Sequence, residues 1–159
     1  MNKMNPNAQF PRFLADEEAT LAFGGSLAAV LDAPLVIYLQ GDLGAGKTTF
    51  TRGLLRGLGH AGSVKSPTYA IVESYPLSGK TVHHFDLYRF TAPQEWEDAG
   101  LDDLLTEDSV CLIEWPQQGE GFAPAADLSV RLENVENGRS CSVEACTERG
   151  REILEAWLS

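Results

Sequence analysis

From Asp16 onward, Phe23, Leu27, Val30 and Leu31 recur at helical spacing until Pro34 stops the pattern. Asp16, followed by Glu17 and Glu18, reads as an N-cap with an acidic first turn. Leu35 to Gln40 (LVIYLQ) changes the period: a short continuous apolar run containing β-branched residues is the pattern of a strand buried on both faces, and it implies a parallel sheet covered by helices. Phe50, Leu54, Leu55 and Leu58 then mark one face of a second helix, which Gly59 can end in a left-handed cap. Further strands are expected at 69 to 75, 81 to 86, 109 to 115, 128 to 133 and 139 to 145, with a short acidic helical stretch near 93 to 105. A last helix from about Glu148 to Leu158 is striped by Ile153, Leu154, Trp157 and Leu158. The two strands flanking Pro76 to Lys80 predict an antiparallel hairpin, so the sheet is expected to be mixed. Residues 1 to 12 read as a loose tail, and no repeat or linker divides the rest, so 13 to 159 is expected to form one domain.

Composition narrows this picture. The chain has 12 basic and 23 acidic residues, a net charge of −11, which argues against holding nucleic acid by phosphate neutralisation without help. Its three cysteines are odd in number and lack C-x-x-C spacing, so neither zinc nor a disulfide framework is indicated. The start MNKMNPNAQFP has no apolar core of a signal peptide, and no run approaches the roughly 18 apolar residues of a membrane span, so a cytoplasmic location is expected. Charge is unevenly spread: residues 41 to 89 hold six bases against three acids, and residues 90 to 120 hold nine acids and no base. The basic stretch suits a polyanionic small ligand in an otherwise acidic body.

The chemistry concentrates in that stretch. Gly41-Asp42-Leu43-Gly44-Ala45-Gly46-Lys47-Thr48 fits G-x-x-x-x-G-K-[ST] at every fixed position, after an expected strand and before an expected helix. Such a turn gathers unpaired backbone N–H groups and the positive end of the helix dipole at one point, where phosphates bind. Gly41, Gly44 and Gly46 let the backbone curl without a Cβ in the way; Lys47 is placed to neutralise the β- and γ-phosphates of a nucleotide, and the Thr48 hydroxyl to hold Mg²⁺, with Thr49 at the same corner. The expected fold is accordingly α/β: a three-layer P-loop NTPase-like domain around a mixed, mostly parallel central sheet. No N-K-x-D segment follows the loop, which removes support for a GTPase, and an L-S-G-G-Q signature is missing, which excludes an ABC-type ATPase. A kinase of a small metabolite is the alternative enzyme, although residues 90 to 120 offer no arginine for a lid over the transferred phosphate. A nucleotide-gated interaction module with negligible turnover is the other alternative.

Downstream, Ser66-Pro67-Thr68-Tyr69 forms a turn able to bring the Thr68 hydroxyl toward a γ-phosphate, as switch loops do. Asp86 closes the strand at 81 to 86 with a carboxylate, and the adjacent His83 and His84 point to opposite faces, which argues against a shared metal. Glu114 and Trp115 stand at the C-terminal end of an apolar strand, the end at which α/β sheets bind ligands. GDLGAGKTT (41 to 49), SPTY (66 to 69), HFDLYR (84 to 89) and IEWP (113 to 116), in this order, resemble the bacterial TsaE family over about residues 14 to 158. That resemblance implies a Mg²⁺-dependent ATPase, slow alone, that works with the proteins TsaB and TsaD to make threonylcarbamoyladenosine beside the anticodon of tRNAs reading codons that start with A. It places phosphate contacts on Gly44, Ala45, Gly46, Lys47, Thr48 and Thr49 and Mg²⁺ at Thr48 and Glu114. It also implies that Asp86 and Trp115 matter for activity, that Thr68 responds to nucleotide, and that Asp16 and Arg139 lie on the adenine side.

Overall fold

A computed structural model describes residues 12–42, 44–77 and 79–158. Seven strands form one sheet in the order β1-β7-β6-β2-β5-β4-β3. The strands are β1 (Arg12–Leu14), β2 (Leu35–Gln40), β3 (Val72–Leu77), β4 (Lys80–Asp86), β5 (Ser109–Glu114), β6 (Leu128–Val135) and β7 (Gly138–Ala145). The central strands β6, β2, β5 and β4 run parallel to one another. β3 returns antiparallel to β4 at one edge, and β7 and β1 continue antiparallel from β6 at the other. The sheet is therefore mixed, with a parallel centre, and its two faces are both covered.

Alternation along the strands sorts the core into two clusters. On one face Leu35, Ile37 and Leu39 of β2, Val110 and Leu112 of β5, and Leu128, Val130 and Leu132 of β6 pack against the helices α1 (Glu17–Ala28), α2 (Lys47–Gly57) and α4 (Glu148–Leu158). Trp157 of α4 stacks on Phe23 of α1 at 4.7 Å between ring centroids and lies 6.3 Å from Phe50 of α2, tying the three helices together. On the other face Phe85, Cys111 and Ile113 meet Leu87 and Phe90 from the segment after β4, Trp96 from the four-residue helix α3 (Glu95–Asp98) and Leu101 from a 3-10 turn at Leu101–Leu104. β5 is buried at all six positions, whereas β2 buries only Leu35, Ile37 and Leu39 fully, its Val36 and Tyr38 packing against the second cluster while partly buried.

Several boundaries differ from those the sequence predicts. α1 ends at Ala28 rather than running to Pro34; Leu31 N–H turns back to the Leu27 carbonyl, which keeps Leu31 in the core without a helix. The strand expected from residue 69 begins at Val72, because Ile71 N–H closes a turn on the Pro67 carbonyl (2.7 Å) and Ile71 takes φ 71. The acidic stretch near 93 to 105 is broken in two by Gly100 at φ 69. The tail expected over residues 1 to 12 lies outside the described residues except for Arg12, which belongs to β1 and pairs with Cys141. Among the described residues no helix is long and apolar enough to cross a membrane.

Candidate functional site

The parallel register of β2, β5 and β4 brings their C-terminal ends side by side, with Asp86 directly opposite Glu114. β2 leads from Gln40 through the glycine-rich loop into α2, so the first turn of that helix stands over the same edge. Gly44 and Gly46 take φ 79 and 104, left-handed values that favour glycine, and a Cβ on Gly44 would meet nothing within 4 Å, so the loop opens toward free space there. A cleft of about 310 Å³ lies in front of this loop. Gly44, Gly46, Lys47, Thr48, Thr49, Thr68, Asp86, Glu114, Asp16 and Arg139 all border it, which gathers residues spread from 16 to 139 into one place.

Lys47 is 5 % exposed, and its Nζ donates to the Gly41 carbonyl at 2.6 Å. Oε1 of Glu114 lies 3.5 Å from the same ammonium, and both side chains are 6 % exposed. Two charges withdrawn from water are worth little to stability unless their hydrogen bonds are closely made. At this separation the pair is loosely closed, and the ammonium, with three donors, keeps capacity for an anion. The first amides of α2 have no partners within the helix and face the same corner, so a polyanion entering the cleft would meet oriented N–H groups, the helix dipole and a buried cation together.

Around this centre the remaining residues form a polar rim. Thr68 Oγ1 donates to Asp86 Oδ2 at 3.1 Å, so the Ser66 hydroxyl, 2.8 Å from Thr68 Oγ1, is the donor in that second contact. The other Asp86 oxygen accepts from Tyr88 N–H at 2.9 Å. Arg139 on β7 donates to the carbonyls of Ala45 (3.1 Å) and Gly44 (3.2 Å) and thereby braces the loop from outside. Asp16 caps α1 by accepting from Ala19 N–H at 2.8 Å, and it borders the cleft from the far side. Ala45 is wholly buried and contributes backbone only.

Two expected residues sit differently from the rest. Gly41 and Trp115 do not border the main cleft; with Asp42, Lys47 and Arg131 they line an adjoining one of about 210 Å³. The Trp115 ring lies 4.9 Å from Lys47 Nζ, and its backbone takes φ 57, which turns the chain sharply after β5. Thr20 and Gly138 border the main cleft without having been expected there, since neither belongs to any motif. His84 is the more telling omission: it is fully buried and its Nε2 lies 2.5 Å from Glu114 Oε2. Its i, i+2 spacing from Asp86 was the available signal, because it puts both on one face of β4. His83 faces the other way, toward Ser74 Oγ (2.7 Å), and burial pushes its pKa down. Among the described residues no group of three or more His, Cys, Asp or Glu side chains is arranged to hold a metal ion.

Comparison with known proteins agrees with this geometry. The family model described as "Threonylcarbamoyl adenosine biosynthesis protein TsaE" matches residues 14–141. A Haemophilus influenzae protein described as tRNA threonylcarbamoyladenosine biosynthesis protein TsaE is 44 % identical over 151 residues, covering 92 % of this chain and 96 % of its own. A Bacillus subtilis protein of the same description is 41 % identical over 118 residues, covering 74 % of this chain and 73 % of its own. Among solved structures, the crystal structure of Bacillus subtilis YdiB superposes with a TM-score of 0.81 at 30 % identity, covering 95 % of each chain.

Proposed function

Because this chain belongs to the TsaE family, we propose that it is the ATP-binding and slowly ATP-hydrolysing component of the machinery that makes threonylcarbamoyladenosine in tRNA. In this reading it acts with TsaB and TsaD on the adenosine beside the anticodon of tRNAs reading codons that start with A, and residues 13 to 159 form the single ATPase domain. The observation that carries the reading is the buried Lys47 ammonium, set between the glycine loop, the N-terminus of α2 and the Glu114 carboxylate. Lys47 would neutralise the β- and γ-phosphates while the backbone amides from Gly44 to Thr49 hold their oxygens. Thr48 and Glu114 would supply the protein's part of the Mg²⁺ shell. Mg²⁺ at phosphate sites commonly takes one or two protein oxygens and completes its shell with phosphate and water, so this sparse donor set fits it. When bound, the ion neutralises charge on the phosphate oxygens.

Asp86, held by Thr68 and the Tyr88 amide, is a fixed acceptor at the phosphate end, suited to orienting a water molecule or a metal-bound water. Its link to Thr68 ties the Ser66 to Tyr69 segment to the site, so that segment can report whether the phosphate end is filled. Asp16 and Arg139 border the side of the cleft where the nucleoside would lie, and Trp115 stands beside Lys47 where the two clefts adjoin.

Calorimetry tests the ligand. Mg·ATP is expected to bind the wild-type chain, and Lys47→Ala, if folded, is expected to weaken it about 30-fold or more, the ~2 kcal/mol typical of removing one partner from a buried, hydrogen-bonded charge contact. Unchanged affinity would overturn the phosphate site. The wider role is tested by depleting the protein in cells and reading threonylcarbamoyladenosine in total tRNA by nucleoside mass spectrometry. A fall restored by the wild-type gene and not by Asp86→Ala is expected, and normal modification after depletion would overturn the role.

A further inference from the structure

The Glu114 carboxylate is gripped by a side chain that binds no phosphate or metal itself. His84 lies on β4 with no exposed surface, and its Nε2 is 2.5 Å from Glu114 Oε2. The register of β4 and β5 sets His84 opposite Leu112 and Asp86 opposite Glu114, so His84 reaches diagonally across the ladder to the carboxylate. Its other nitrogen, Nδ1, is buried and finds no partner among the described residues. A histidine kept only for packing would serve the core better as leucine, since a buried polar atom without a partner costs stability. The chain instead retains an imidazole in the middle of the sheet with one nitrogen committed to Glu114.

That commitment decides how the carboxylate faces the cleft. Glutamate has three side-chain torsions, and its terminal torsion is broad, so an unrestrained carboxylate samples many orientations. With Oε2 taken by His84, Oε1 is left pointing toward Lys47 at 3.5 Å and toward the cleft. We propose that His84 is a positioning residue for Glu114: by holding one carboxylate oxygen it fixes the other at the floor of the cleft, in the one orientation that serves the phosphate and metal end of the ligand. His84 touches no ligand itself. The inference rests on the role given to Glu114 above, and the role it adds is that of an outer partner which orients a metal-binding carboxylate.

The test compares His84→Leu, which removes the donor at similar volume, with His84→Gln, whose side-chain amide can donate from near the place of Nε2, and with Glu114→Ala. Mg·ATP affinity, kcat, KM and the Mg²⁺ concentration giving half-maximal turnover are measured on each. His84→Leu is expected to lower kcat about 10- to 100-fold and to raise the Mg²⁺ requirement, the usual effect of losing an outer partner. Its ATP affinity should stay within about threefold, because Lys47 and the loop are untouched. His84→Gln should recover most of the loss. Independently of turnover, a ¹H–¹⁵N spectrum of the unliganded chain should show a deshielded His84 Nε2 proton that moves in Glu114→Gln. A folded His84→Leu with wild-type kcat and Mg²⁺ requirement, or a folded His84→Gln that restores nothing, overturns the proposal. If Glu114→Ala leaves turnover intact, the role of Glu114 itself has failed; if Glu114→Ala slows turnover and His84→Leu does not, only the role of His84 has. Where the His84 variants do not fold, the spectrum decides, and an Nε2 with no proton shared with Glu114 overturns the proposal.

Discussion

Lys47 and Glu114 arrive in the cleft from elements far apart in sequence, yet each is announced by its neighbours: a glycine-rich turn before one and an apolar strand before the other. His84 is announced only in part: it opens HFDLYR and stands two residues before Asp86, but its partner depends on which strand lies beside β4, and a sequence does not state strand order. Two of the three cysteines, Cys111 in β5 and Cys141 in β7, are small buried residues within strands, whereas Cys146 lies just past β7 and is exposed. Burial pushes the Cys111 thiol up to about 11 and the Cys141 thiol up to about 12, against 9.0 for a free thiol; a Ser109 hydrogen bond and the Arg12 charge respectively oppose the rise. As pH climbs past 9 the unfolded chain releases thiol protons that the folded chain retains, so the folded state loses stability progressively until those folded values are passed. Chemical denaturation should show this fall between pH 9 and about 12, and Cys141→Ala should flatten it relative to wild type. An identical slope in that variant would mean the thiol is not shielded. At pH 8 an alkylating reagent should label the exposed Cys146 and spare the two buried thiols.

At the scale of elements, the contact between α1 and α2 depends on the absence of side chains. A Cβ on Gly53 would stand 2.1 Å from the Leu21 carbonyl oxygen, and one on Gly24 would stand 2.2 Å from the Phe50 carbonyl oxygen. Alanine in place of a helical glycine ordinarily gains about 1 kcal/mol. Gly53→Ala is nevertheless expected to destabilise by ~2 kcal/mol, because the backbone it meets cannot move aside without separating the helices. Gly25→Ala, whose Cβ would be 3.4 Å from its nearest neighbour, should be neutral or stabilising. Urea denaturation of the two variants decides, and the reverse order would show that the helices are not packed this closely. The helices themselves, the hairpin of β3 and β4 and the buried β5 were readable because periodicity, caps and turn residues are local signals. β1 was not: three residues long, it is a strand only because β7, far downstream, pairs with it. Nor was the delay of β3 to Val72, which places a β-branched residue at positive φ and is imposed by the bonds of Ile71 to Pro67 and Asp86.

For the molecule as a whole, charge limits what it can hold unaided. With −11 overall and nine acids without a base between residues 90 and 120, repulsion opposes the counterion release that drives binding to a phosphate backbone. The isolated chain is expected to show no saturable tRNA binding at micromolar concentration and physiological salt, by filter retention or calorimetry. Tight binding by the chain alone would contradict an indirect role in tRNA modification. The contact of Trp157 with Phe23 and Phe50, together with its Nε1–H bond to Ser26 Oγ at 2.7 Å, bears on when the protein becomes competent. Synthesis proceeds from the N-terminus, so a ribosome has translated every motif from Gly41 to Pro116 before it reaches β6, β7 or α4. The arginine that braces the glycine loop and the indole that clamps α1 onto α2 are translated last. A nascent chain thus displays the complete set of motifs without the frame that orders them, and the braced loop and clamped helices are complete only when the far end of the chain folds back over the beginning.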